Sequence, residues 1–126
     1  MTSVHDEVET LDRLVHEPAR LVILTTLASC ASADFTFLQR IAGLTNGNLS
    51  AHLTKLEAGG LVSIEKRFVD RKPNTSIALT TKGRRAVERH WKALEHIRRE
   101  AVKAAGGRKV ETRRRRVDFV RVEADG

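Results

Sequence analysis

The chain has 126 residues, of which 40% are hydrophobic and 4% aromatic, so one domain with a mainly aliphatic core is expected. Lysine and arginine outnumber aspartate and glutamate by 23 to 16, and the net charge of +7 favours an anionic partner. Cys30 is the only cysteine, which excludes an internal disulfide and fits a cytoplasmic location. The sequence has no long apolar run, so no transmembrane helix is expected. Its acidic amino terminus does not predict a secretory leader, and no membrane partner is expected.

Apolar residues near the amino terminus recur at alternating spacings of four and three, which predicts a helix with one narrow apolar seam. Such a seam suits a partner helix better than a broad core, so residues 1–17 are expected to serve dimerisation. Pro18 marks the start of the next element, because proline is tolerated in the first turn of a helix. The seam consists of Val4, Val8, Leu11 and Val15.

Two further helices are predicted before the middle of the chain. A wide apolar stripe over 19–29 favours a central core helix. The small, polar residues 31–34 form a connector, and Asp34 is placed to cap a short helix over 35–42. Gly43 ends that helix, and the few residues that follow match the length of a helix-turn-helix connection.

The segment 44–59 has the pattern of an amphipathic helix that buries a narrow leucine edge and leaves a polar, weakly basic face open. Thr45 is placed to cap its start, and Gly59 and Gly60 are placed to stop it. A face of Asn, Ser, Thr and Lys can read base edges in a DNA major groove, although an ordinary solvated helix face is the alternative. The residues expected to contact bases are Asn46, Asn48, Ser50, Ala51, His52 and Thr54.

The period changes from helical to alternating after Gly60, which predicts a β-hairpin over 62–79. Residues 70–74 are expected to form its turn because of their composition. Basic residues near the tip would lie close to phosphates or in the adjacent minor groove, where they add affinity but little sequence information. The residues expected to contact the DNA backbone are Thr36, Gln39, Thr45, Lys55, Lys66, Arg67, Arg71, Lys72 and Asn74.

A long last helix is predicted from a cap at Thr80 or Thr81 to Gly106 and Gly107. Residues 84–107 are expected to pack with the amino-terminal seam across a two-fold axis. The alternative is that both helices fold back on their own core. The interface residues expected here are Val87, Trp91, Leu94 and Ile97.

The tail, residues 108–126, contains four consecutive arginines at 113–116. These arginines predict either a nucleic-acid-binding arm or a solvated charge run. The apolar residues that follow them leave a strand as a third possibility.

The sequence contains no glycine-rich phosphate loop, no nucleophile elbow and no paired-carboxylate pattern, so an enzyme is not expected. Its five histidines match no zinc or calcium spacing and are interpreted as isolated surface or interface residues. Neither a metal nor another cofactor is therefore expected.

The predicted order of elements is helix, short helix, turn, polar-faced helix and basic hairpin, which is a winged helix-turn-helix: mainly α with a small β-hairpin, and extra helices at both ends. Four stretches carry a resemblance to the small winged-helix transcriptional regulators related to the MarR and ArsR families. They are LTNGNLSAHLTKLE at 44–57, GLV at 60–62, RKPNT at 71–75 and LTTKG at 79–83. The resemblance covers the predicted core, residues 18–83, and extends to about residue 87.

The resemblance implies a dimeric, sequence-specific regulator of double-stranded DNA, most simply a repressor. Its recognition helix would lie within 44–59, its wing tip at 70–75 and the cap of its last helix at Thr80 or Thr81. The paired cysteines and His/Asp sets of metal-sensing ArsR relatives are missing, and the chain is shorter than a typical MarR repressor. A MarR-type ligand pocket would therefore be small or missing, and the effector stays unassigned. The alternative function is a winged-helix module that binds RNA or a protein partner.

Overall fold

The computed structural model describes residues 3–9 and 11–106. Within that part of the chain, the structure has five helices and a small three-stranded antiparallel sheet, so the predicted fold class is confirmed. None of these helices is both long and apolar enough to cross a membrane. The elements in chain order are α1 (Val4–Glu9), α2 (Pro18–Ala28), β1 (Ala33–Asp34), α3 (Phe35–Ala42), α4 (Asn46–Ala58), β2 (Val62–Val69), β3 (Lys72–Leu79) and α5 (Thr81–Gly106).

Helix α2 is the centre of the core, as its wide apolar stripe predicts. Its first turn is capped by the Glu17 carboxylate, which accepts the amides of Ala19 and Arg20, and Pro18 occupies the first helical position. The buried side chains of α2 pack with the leucines of α4, with Leu38 of α3 and with the sheet. The core residues that α2 contributes are Ile23, Leu24 and Leu27.

The predicted cap of α3 by Asp34 is wrong. The Asp34 side chain makes no capping hydrogen bond, because the residue belongs to strand β1 and pairs with Ser76 of β3. Sequence reasoning assigned this stretch to a connector and missed the strand, which is only two residues long. At its other end, α3 stops at Gly43, whose φ of 65° is the left-handed conformation that glycine adopts most easily.

The hairpin is confirmed, but its turn is shorter than predicted. The strand order is β1-β3-β2, and the pair Val69–Lys72 closes a two-residue turn. Both turn residues, Asp70 and Arg71, have positive φ values, of 52° and 67°, as in the turns that match strand twist. Residues 72–74, predicted to be in the turn, instead pair with β2.

The prediction of one continuous helix through the amino-terminal seam is also wrong. Helix α1 ends at Glu9, and residues 13–15 form a turn in which the Asp12 carboxylate accepts the Leu14 amide. This turn points Leu11 and Val15 into the protomer's own interior, where both are buried. The alternating spacing therefore reflects core packing for half of the seam.

Candidate nucleic-acid interface

The predicted polar-faced helix is α4, and both of its ends are fixed as expected. The Thr45 hydroxyl accepts the Asn48 amide at 3.1 Å, which caps the start, and the Gly59 amide reaches the Lys55 carbonyl at 3.0 Å. One edge of the helix is fully anchored, since its leucines are at most 2% exposed. These leucines are Leu49, Leu53 and Leu56.

The opposite face of α4 is open along its length. A β-carbon added to Gly47 would meet no other described atom within 4 Å, so the first turn is open at this residue. Side chains of the amide and hydroxyl type can accept and donate hydrogen bonds at base edges. The residues of this face, all exposed, are Asn46, Asn48, Ser50, Ala51, Thr54 and Lys55.

His52 does not belong to that open face. Its side chain is only 22% exposed, and its Nδ1 lies 3.3 Å from the Glu17 carboxylate and 3.4 Å from the Arg20 guanidinium. The Nδ1 edge of the ring is thus turned towards the start of α2. His52 therefore lies in a contact between α4 and the start of α2 rather than on the exposed polar face.

Glu17 and Arg20 were missed by sequence reasoning. Glu17 caps α2 and contacts His52 with the same carboxylate. Arg20 donates from Nε to the Leu14 carbonyl at 2.8 Å, which ties the amino-terminal turn to the same cluster. An acidic residue directly before Pro18 was the available signal, because acidic side chains favour helix amino termini.

The hairpin β2–β3 projects as the wing, and its cations are open to a partner. Lys66, Arg67, Arg71 and Lys72 are all exposed. Arg67 is the most constrained of the four, since its guanidinium lies 3.5 Å from Glu65 and 3.4 Å from the amide oxygen of Asn74. The wing thus presents four exposed cations, of which Arg67 alone has a side-chain hydrogen bond or ion pair within the described residues, and exposed cations suit contacts with phosphate groups.

A cavity of about 630 Å³ separates α4 from the wing. Apolar side chains, hydroxyl groups and two opposite charges line it. The lining residues are Phe35, Ser50, Leu53, Thr54, Glu57, Ile64, Lys66 and Thr75.

Two of the residues predicted to contact the DNA backbone lie on α3. Thr36 is exposed and Gln39 is half-buried.

The residues predicted for a dimer interface separate into two groups. Trp91 and Val8 are exposed, and Val4, Leu94 and Ile97 are half-buried. The remaining three, Leu11, Val15 and Val87, are buried within the protomer, so they present no surface to a second copy. The alternative of helices folding back on their own core therefore holds for these three.

A histidine pair lies where the amino-terminal turn meets α5. His16 Nδ1 is 3.3 Å from His90 Nε2, and His90 is 3% exposed with its Nδ1 unpartnered. Burial and the neighbouring His16 lower the pKa of His90, and Asp12 partly offsets this effect. No group of three or more metal-ligating side chains occurs among the described residues. The arginine run at 113–116 and the rest of the tail lie outside them.

Comparison with known proteins gives a consistent result. A family model described as a winged helix DNA-binding domain matches residues 19–97. An uncharacterized protein of Methanocaldococcus jannaschii is 33% identical over 78 residues, which are 62% of this chain and 85% of that protein.

Solved structures extend the similarity. A transcriptional regulator homologue from Pyrococcus horikoshii OT3 has a TM-score of 0.71 at 30% identity, covering 76% of this chain and 97% of that chain. A MarR-family transcriptional regulator from Silicibacter pomeroyi shares the fold, with a TM-score of 0.55 at 20% identity over 95% of this chain and 78% of that one. The predicted winged-helix resemblance is thus confirmed.

Proposed function

The chain belongs to the winged helix DNA-binding domain family, and we propose that it is a transcriptional regulator that binds double-stranded DNA sequence-specifically. Helix α4 would enter the major groove, and the wing would follow the backbone or the adjacent minor groove. The observation that carries this proposal is the two-sided build of α4, with three buried leucines on one edge and a row of exposed amide and hydroxyl side chains on the other. This is a binding function, and no catalytic role is proposed.

The distribution of charge supports separate roles for α4, which would contact bases, and the wing, which would contact phosphates. Four exposed cations lie on the wing, whereas the open face of α4 has one, Lys55. Phosphate contacts supply affinity and position, and base-edge contacts supply sequence preference. The wing would therefore provide most of the electrostatic attraction, and α4 most of the discrimination.

We further propose that the protein acts as a cytoplasmic homodimer that represses by covering a promoter. Trp91 is 47% exposed on α5, and Val8 lies exposed on α1, which packs along α5. Burying these two side chains against a second copy would remove apolar surface from water. A two-fold dimer would read two half-sites about one DNA turn apart. Light scattering at micromolar protein is expected to give twice the protomer mass, and a strictly monomeric mass with and without DNA would contradict the dimer.

The test of the DNA function is a selection from a random pool of duplexes, followed by binding of the enriched duplex and of a scrambled one. The double variant R71A/K72A is expected to weaken binding to both, and to flatten the salt dependence by about 1 unit of slope per lost phosphate contact. The variant N48A is expected to change the preferred sequence instead.

Competition with structured RNA distinguishes DNA binding from the alternative function of RNA binding. The competition is measured at about 0.2 M salt, where weak binding through phosphate contacts alone is lost. Enrichment of no particular duplex, or stronger retention of the RNA, would contradict the proposed function. If R71A/K72A and N48A weaken every sequence alike, the division between wing and helix is wrong.

A further inference from the structure

Phe68 is the most exposed large apolar side chain among the described residues. It is 74% exposed, although it lies on a strand of the sheet. The hairpin is anchored only at its base, where Val62 is buried, and every residue of β2 from Glu65 onward is exposed. Large aromatic rings normally remove 150–250 Å² from water, so a ring left open at this position is available to a partner.

The side of the hairpin that carries Phe68 is the side that faces α4. Side chains on a strand alternate between faces, so Ile64, Lys66 and Phe68 share one face. Ile64 and Lys66 line the cavity with Ser50 and Thr54 of α4. Phe68 is therefore the next residue outward on the face that a DNA duplex seated against α4 would meet.

The strand pairing gives the tip a second apolar group. Phe68 is opposite Pro73 in the antiparallel register, so the phenyl and pyrrolidine rings belong to one cross-strand pair. Proline is tolerated there because β1 pairs only with Ser76 and Ile77, which leaves the outer side of β3 unpaired at Pro73. The tip is thus a small, stiff apolar wedge.

Charge identifies the kind of partner that this wedge meets. Lys66 and Arg67 precede Phe68 by one or two residues, and Arg71 and Lys72 follow across the turn. Against these four cations the segment 65–75 has two acidic residues, Glu65 and Asp70. An apolar wedge set among cations fits a partner with an anionic surface and an apolar interior, and a DNA duplex with stacked bases behind its phosphates has both.

We propose that Phe68 inserts into a base step from the minor groove next to the α4 site, partly unstacking it and bending the duplex. This inference rests on the proposed function. The minor groove is about 6 Å wide, which admits single side chains of a hairpin tip but no helix. Apolar side chains that enter a step in this way kink DNA by roughly 20–90°. Specificity at this step would come from how easily the sequence deforms.

The test uses the duplex enriched by selection, labelled so that every base pair is probed. In separate duplexes, 2-aminopurine replaces each adenine and pyrrolocytosine replaces each cytosine; both fluoresce more strongly when unstacked. A donor and an acceptor dye on the two ends report bending. The wild-type protein is expected to raise the fluorescence at one step flanking the α4 site and to shorten the end-to-end distance.

The variant F68A is expected to abolish the local fluorescence increase and the bend, and to weaken binding about tenfold, the size of one lost aromatic–base stacking contact. V69A is the matched control, because Val69 is the adjacent exposed apolar residue and points to the other face of the strand. V69A should keep both signals.

Binding by the wild type with no unstacked position, or signals unchanged in F68A, would overturn the wedge while leaving the DNA function standing. A change of protomer association in F68A, measured by light scattering, would also overturn it, since Phe68 would then contact protein. Failure to enrich any duplex is a different result, because it contradicts the proposed function itself.

Discussion

Helices α4 and α5 both begin with a threonine cap, but the surroundings of the two caps differ. At each start a threonine hydroxyl accepts the amide three residues later: Thr45 from Asn48 at 3.1 Å, and Thr80 from Gly83 at 2.9 Å. Each first turn also contains a glycine, Gly47 in α4 and Gly83 in α5. By sequence alone, the two starts are nearly interchangeable.

The start of α5 is closed, because other parts of the chain pack against it, and the start of α4 is open. The Thr80 hydroxyl also donates to the Gly60 carbonyl at 2.6 Å, and the Thr80 amide donates to the Leu61 carbonyl at 3.0 Å. Residues 60–61 thus lie directly over α5. By contrast, no atom of the described residues lies within 4 Å of the position where a β-carbon of Gly47 would be. The start of α5 is therefore part of the packed structure, whereas the start of α4 is exposed, as an anion site at a helix amino terminus would require.

The largest effect is expected where the closed start admits no side chain. A β-carbon at Gly83 would overlap the carbonyl oxygen of Leu61, and this neighbour is backbone that cannot rotate away. G83A should lower the free energy of unfolding by about 3 kcal/mol or more, because the loop or the helix must shift. Urea unfolding followed by circular dichroism measures this.

The matched control is G47A at the open start. Alanine there meets no atom, and it is a better helix former than glycine by about 0.8–1 kcal/mol, so G47A should leave stability unchanged or raise it slightly. Equal destabilisation by G83A and G47A would show that the two starts are packed alike and would remove the distinction between them.

Local patterns were enough to predict most of this architecture. The leucine spacing of α4, the cap at Thr45 and the alternation in the hairpin are signals carried within a few residues, and the structure confirms each. They succeed because capping and amphipathic periodicity are properties of neighbouring residues.

The predictions that failed depend on partners distant in sequence. Strand β1 exists only because β3 lies beside it, and two residues carry no alternation to detect. Leu11 and Val15 match a helical seam, but both are buried within the protomer, and Val15 packs in the main core cluster. The base contact predicted for His52 stays a prediction. Its contact with Glu17, 35 positions earlier, could not be predicted from the sequence for the same reason of distance.

If a phosphate of bound DNA lies near the open start of α4, a negative charge at Thr45 should weaken DNA binding. T45D and T45N both keep a capping side chain of nearly the same shape, and only the aspartate adds a negative charge. T45D should bind the selected duplex about tenfold more weakly than T45N at about 0.1 M salt, since like charges repel at short range. Fluorescence anisotropy titration measures the two dissociation constants.

Stability serves as the control for this pair. A carboxylate at a helix amino terminus interacts favourably with the helix dipole, by about 0.3–1 kcal/mol, so T45D should unfold no earlier than T45N. Equal DNA affinities of T45D and T45N would mean that no phosphate lies at the start of α4 in the complex.

The smallest expected effect is a dependence of stability on pH that belongs to α5 alone. The buried line of α5 runs from Gly83 through Ala86 and Val87 to His90, whereas every buried side chain of α4 is a leucine. Burial and His16 lower the pKa of His90 in the fold, so between that lowered value and the ordinary 6.5 the unfolded chain binds more protons. The contribution of His90 is fully present above pH 6.5 and is lost as the pH falls below it.

The thermal unfolding midpoint should therefore fall further between pH 7.5 and 5.5 (roughly one unit either side of the ordinary histidine pKa) in the wild type than in H90Q. The other four histidines, including His16, are present in both proteins, so a difference between the two profiles belongs to the contact between His16 and His90. Identical pH profiles would contradict a lowered pKa of His90 in the fold.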